Sequence, residues 1–133
     1  MTATAWKIIV TLVWRRYPVN SDMTDKIVVL TTCVTEEEAA RIARMLVEER
    51  LATCVNVVPG VRSFYDWKGA VEDAREWLLI AKSSRELFEP LAAAIEKNST
   101  YVLPEALALA VVDGSPGYLN WLGAGLRKGT AAE

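Results

Sequence analysis

The first patterned stretch is Lys26 to Cys33, KIVVLTTC, a short continuous apolar run rich in Val and Thr that predicts a buried β-strand. The period then changes. In EEEAARIARMLVEER (Glu36 to Arg50), Ala39, Ile42, Ala43, Leu46 and Val47 recur at helical spacing and form one apolar stripe. Thr35 stands three positions before Glu38, a capping-box pairing in which hydroxyl and carboxylate satisfy orphan amides at a helix start. The acids that follow Thr35 lie at the positive end of the helix dipole. Cys54 to Trp67 predicts a long strand, with Pro59-Gly60 expected as a bulge or bend. Lys68-Gly69 predicts a turn, and Ala70 to Lys82 returns as the partner strand. The first half of that strand alternates with charges, whereas WLLIA (Trp77 to Ala81) is apolar on both faces. Ser83 with Glu86 forms a second capping-box pattern and predicts a helix to about Lys97, kinked or delayed by Pro90. Glu105 to Val112 predicts a fourth strand, stopped by Asp113-Gly114. Pro116 to Arg127 predicts a last helix with Tyr118, Leu119, Leu122 and Leu126 facing inward. The order β-α-β-β-α-β plus a terminal helix is the α+β, ferredoxin-like βαββαβ arrangement: an antiparallel sheet with helices on one face and a long central hairpin.

That hairpin is too long for its domain. Strands of about 13 residues extend roughly 43 Å, whereas strands ordinarily have about 5 or 6 residues. A domain of this size has a radius of gyration near 13 Å and is about 35 Å across. The hairpin must therefore overhang or coil back on its own sheet. Phe64, Tyr65 and Trp67 add aromatic surface near its tip. Another copy of the chain is the simplest cover for this surface and for the second face of WLLIA, so an oligomer is expected.

Composition narrows the partners. The 133 residues suffice for one domain, with 52% hydrophobic and 24% charged residues. A net charge of −2 and a pI near 5.3, without a basic block, argue against nucleic acid and anionic membrane as partners. Two cysteines, Cys33 and Cys54, are too few for a disulfide framework, so a reducing cytoplasm is the expected setting. The chain has no histidine, which removes the commonest general base and the commonest transition-metal ligand. WKIIVTLVW (Trp6 to Trp14) is about half the length that spans a bilayer. Its charges, Arg15 and Arg16, follow the apolar run, the reverse of a signal peptide. Met23 opens a natural first strand. Residues 1–22 therefore read as an N-terminal extension or alternative start, residues 23–128 as the domain and residues 129–133 as a tail.

The series VVLTT, EEEAARIARMLVEERLATCVNVVPGVRSFYDWKG, EWLLIAKS, YVLPEALAL and GYLNWL resembles the CutA proteins, the divalent-cation tolerance family, over Lys26 to about Leu126. The resemblance implies a homotrimer with interlocked hairpins, an architecture shared with the PII signalling proteins, and a role in divalent metal tolerance. It also implies a cleft between subunits. Carried over by position, Glu76, Lys82, Tyr101 and Glu105 would bind a small polar ligand there, with Trp67 as an apolar wall; the alternative is that they are interfacial ion pairs and hydrogen bonds that fix the trimer. Some family members bind copper through a cysteine on the first strand, a second in the LAxC segment and a histidine opening an H-P-Y segment. At those positions this chain has Thr31, Cys54 and Ser99-Thr100-Tyr101, with Cys33 two residues beyond Thr31 on the same strand face. Hydroxyls are poor ligands for soft or borderline metals. No metal residue is therefore assigned; a metal ion is expected to bind weakly if at all, and no cofactor is expected.

Cys54 has no histidine to activate it, heads a strand and reads as a small buried side chain. The leading expectation is a non-enzymatic trimeric module. The alternative is a small enzyme using Lys82, Tyr101 and Glu105 in the cleft. An RNA-binding sheet is disfavoured, because the first strand lacks an aromatic residue and the chain is acidic.

Overall fold

The computed structural model describes residues 24–129. The extension read at residues 1–22 and most of the tail read at 129–133 lie outside the described residues. The elements are β1 (Lys26–Cys33), α1 (Glu36–Glu48), β2 (Cys54–Trp67), β3 (Ala70–Ser84), a 3₁₀ turn (Arg85–Leu87), α2 (Phe88–Asn98), β4 (Leu107–Ala110) and α3 (Pro116–Ala124). The sheet order is β2-β3-β1-β4, with every neighbouring pair antiparallel. This is the ferredoxin-like α+β fold that the element order predicts. No helix among the described residues is long and apolar enough to cross a membrane.

Alternation along β1 sorts the sheet into two faces. Ile27, Val29, Thr31 and Cys33 are buried and each intervening residue is half-buried. On β3, Leu79 and Ala81 pair with Thr31 and Val29 and share their face. Ala39, Ile42 and Leu46 of α1, with Leu91 and Ile95 of α2, close over them to make the core. Val28, Leu30, Leu78, Ile80, Leu107 and Leu109 project from the opposite face by the same register. Leu107 and Leu109 are more than half exposed. The middle of the open face is thus apolar, with Lys82 and Asn56 toward one end.

The hairpin carries its expected punctuation. The β2–β3 register shifts between Val58 and Val61, and Gly60 takes φ +73°, so Pro59-Gly60 is a bulge. Lys68 and Gly69 both have positive φ, as a tight two-residue turn requires. Beyond Cys33↔Trp77, where β1 ends, β2 and β3 continue as a two-stranded ribbon to Trp67↔Ala70. Phe64 is 62% exposed and Val71 76% exposed on that ribbon.

Several boundaries differ from expectation. Helix α1 stops at Glu48 because Arg50 turns left-handed, with φ 58°, and the Leu51 and Ala52 amides return to the Leu46 carbonyl. The Ser83–Glu86 capping box does not form. Ser83 is still in β3, fully buried, and its hydroxyl donates to the Leu51 carbonyl at 2.6 Å. Helix α2 begins only at Phe88, which puts Pro90 in its first turn, where the missing N–H has no intrahelical partner to lose. Strand β4 is four residues long rather than eight. Leu122 of α3 is inward as expected, at 2%, whereas Tyr118 is 43% exposed.

Candidate functional site

The site begins with a buried carboxylate. Thr35 caps α1 as its sequence predicts, its hydroxyl accepting from the Glu38 amide at 3.1 Å. The Glu38 carboxylate, 4% exposed, accepts from the Val34 amide at 3.4 Å and reaches the α2–β4 connection. There it accepts from the Thr100 amide at 2.7 Å and the Thr100 hydroxyl at 3.0 Å. This pins the start of the segment that carries Tyr101 and Glu105 beside the end of β1, where the ribbon leaves the sheet.

Tyr101 then turns onto β3. Its hydroxyl donates to Glu76 Oε2 at 2.5 Å, and Glu76 is only 5% exposed. Burial first, then the hydrogen bond to Glu76 and that carboxylate's charge, hold the Tyr101 hydroxyl well above the usual tyrosine range, so it stays a donor. Glu105 lies close enough to feel the same charge. Glu105 is exposed as a residue, but partial desolvation of its carboxyl, followed by repulsion from Glu76, raises it above the ordinary glutamate value. On β2, after the bulge, Ser63, Tyr65 and Trp67 alternate onto the face of Glu76, with Tyr65 directly opposite Glu72. Together these residues line a cavity of about 720 Å³, to which Thr32, Val102 and Leu103 also contribute.

Four of the five residues carried over as ligand contacts, Trp67, Glu76, Tyr101 and Glu105, line this one cavity. Lys82 does not. It sits six residues from Glu76 along β3, about 20 Å of extended strand. Its ammonium donates to Asn56 Oδ1 and to Cys54 Sγ, the latter at 3.6 Å. The Lys82–Tyr101–Glu105 grouping of the enzyme alternative is therefore not assembled within one chain. Tyr65, Glu72 and the anchoring Glu38 were missed from sequence. Two-residue spacing from Trp67 and four-residue spacing from Glu76 were the signals for the first two.

The thiols are also separated. Thr31 and Cys33 lie under the helices, each 1% exposed, whereas Cys54 pairs with Lys82 on the open face and is half-buried rather than buried. Burial, then the charge of Glu38, pushes the Cys33 thiol up to about 11, so it is protonated and inert at neutral pH. Among the described residues no three His, Cys, Asp or Glu side chains are grouped to hold a metal ion.

A family model described as CutA1 divalent ion tolerance protein matches residues 27–124. The chain belongs to the CutA1 divalent ion tolerance family. The divalent-cation tolerance protein CutA of Thermus thermophilus is 45% identical over 95 residues, 71% of this chain and 92% of that protein. The chloroplastic CutA protein of Arabidopsis thaliana is 42% identical over 103 residues, and this chain spans 57% of its length. Among solved structures, CutA1 from Oryza sativa superposes with a TM-score of 0.77 at 37% identity, covering 80% of this chain and 98% of the other. The Thermus thermophilus divalent cation tolerance protein gives 0.75 at 42% identity, covering 77% and 99%. These relatives are named for CutA or for cation tolerance, not for a catalysed reaction. Against the CutA copper pattern, one chain here offers a buried hydroxyl and a buried thiol on one sheet face and a second thiol on the other. Within one chain these residues do not fit a copper centre.

Proposed function

We propose that this CutA family chain acts as a non-catalytic trimeric module of the divalent-cation response, with the Glu76–Tyr101–Glu105 cavity as a small-ligand site where one subunit meets the next. The carrying observation is the open sheet face. Val28, Leu30, Leu78 and Ile80, each half-buried, form with the exposed Leu107 and Leu109 an apolar layer on the face opposite α1 and α2. Layers of this kind are buried by association, and closed point-group symmetry is the usual solution. The unsupported ribbon from Val61 to Glu76 supports the same reading, because two lone strands are marginal in water. The cavity lies where ribbon and open face join, so covering the face with a second copy also roofs the cavity. Lys82 enters such a site only if another subunit supplies it. The two free thiols suit a reducing compartment, and we assign the module to the cytoplasm.

Light scattering on the eluting protein at micromolar concentration tests the assembly. The expected mass is three times the 14.7 kDa of the chain. A single-chain mass would remove the proposal.

A further inference from the structure

The cavity has a one-sided chemistry. Among the described residues three carboxylates, Glu72, Glu76 and Glu105, line it, and no Lys or Arg does. Its walls are aromatic, with Tyr65 and Trp67 each a little over one-third exposed. Glu76 is nine-tenths buried and keeps one neutral partner, the Tyr101 hydroxyl. A buried carboxylate with no cation beside it is costly, and a second one nearby adds repulsion.

We infer that this cavity selects a small organic cation, an amine or quaternary ammonium, over anions and over bare divalent metal ions. The inference rests on the ligand site proposed above and names its ligand class. An ammonium group offsets the carboxylate repulsion, while its alkyl groups pack on Trp67 and Tyr65, whose ring faces attract positive charge. The ribbon already uses this contact internally. The Lys68 ammonium stands 5.8 Å from the Trp67 ring centroid, and the Arg62 guanidinium 4.9 Å from that of Phe64. An anion meets repulsion from these carboxylates and finds no Lys or Arg among the described residues with which one chain lines the cavity. A bare divalent ion needs several convergent oxygen, nitrogen or sulfur donors, and here much of the wall is ring and aliphatic surface. A volume of about 720 Å³ is within the usual range of small-ligand pockets.

The test is calorimetric titration of the full chain with tetramethylammonium chloride. Neopentyl alcohol, a neutral analogue of similar shape, sodium acetate and magnesium chloride are run in parallel, and light scattering is recorded on the same samples. Saturable binding of tetramethylammonium is expected. It should weaken by about tenfold in Glu105→Gln and in Trp67→Leu, and neopentyl alcohol should bind about tenfold more weakly than the cation. No binding of tetramethylammonium by an intact trimer overturns the inference and leaves the trimer standing. Equal binding of the neutral analogue, binding of acetate or magnesium alone, or indifference to both substitutions overturns it as well. A single-chain mass with cation binding retained overturns the assembly and supports the ligand class; a single-chain mass without binding overturns both.

Discussion

Replacing Tyr101 by phenylalanine deletes one oxygen atom and leaves a carboxylate without its donor. The Glu76 side chain is 5% exposed, and its hydrogen bond from Tyr101 is 2.5 Å long. A hydrogen bond to a charged group contributes about 1.5–3 kcal/mol, and leaving its buried acceptor unsatisfied keeps the desolvation cost in place. Tyr101 is itself half-buried, so water reaches part of the site and the loss is placed at about 2 kcal/mol. With a urea slope of a few kcal/mol per molar at most, the unfolding midpoint should fall by about 1 M, measured at fixed protein concentration because assembly is linked to stability. The second half of the cycle identifies the cause. In a Glu76→Met background the carboxylate is gone, so Tyr101→Phe should cost close to nothing, a coupling of about 2 kcal/mol. An unchanged midpoint in Tyr101→Phe, or an equal loss with and without Glu76, would refute the assignment of this pair as a buried, charge-assisted contact.

Other residues give independent checks. Thr31 is 1% exposed and its hydroxyl has no hydrogen-bond partner among the described residues; Thr31→Val, which keeps the shape, should stabilise the fold by about 1 kcal/mol in the same urea assay. The Glu105 carboxyl is raised in the folded state, so it contributes stability that is fully present below its unfolded pKa and is lost as pH rises through the folded value. Glu105→Gln, permanently neutral, should therefore melt slightly higher than wild type near pH 7 and lose that advantage near pH 4, and a constant difference across that range would count against the partial desolvation and the repulsion from Glu76. Cys33, buried with its thiol pushed up to about 11, should resist a thiol-specific reagent at about pH 8 until denaturant is added, as peptide mass spectrometry can show.

Much of the fold could be read because local signals and tertiary demands coincide. KIVVLTTC is an uninterrupted strand former, Pro59-Gly60 lands on the register shift, and Lys68-Gly69 has the positive φ values of a tight turn. Where they compete, the tertiary contact wins. Ser83 has the spacing of a helix cap, but the Leu51 carbonyl takes its hydroxyl and keeps it in β3. The Thr35–Glu38 box is half formed in the same way. The hydroxyl caps the helix, while the carboxylate is drawn to Val34 and Thr100 rather than to the Thr35 amide. The site followed a similar rule. Alternation along a strand tells which face a residue shares, so Glu76, Tyr65 and Trp67 come together. It does not report distance, so Lys82, on the same face as Glu76, stands about 20 Å away along the strand. Glu38 was legible as a cap but not as the anchor of the Tyr101 segment, because its partner Thr100 lies 62 residues away in the chain.

The proposal that further copies cover the open face is tested most directly by sedimentation equilibrium of the wild type beside Ile80→Asp. Ile80 lies opposite Leu30 in the middle of that face, where a carboxylate is tolerated against water but not against another apolar layer. The wild type should sediment as three chains at micromolar concentration. Ile80→Asp should sediment as one chain and keep the circular dichroism of the folded domain. A wild type that sediments as a single chain, or a variant that assembles as well as the wild type, would contradict the account.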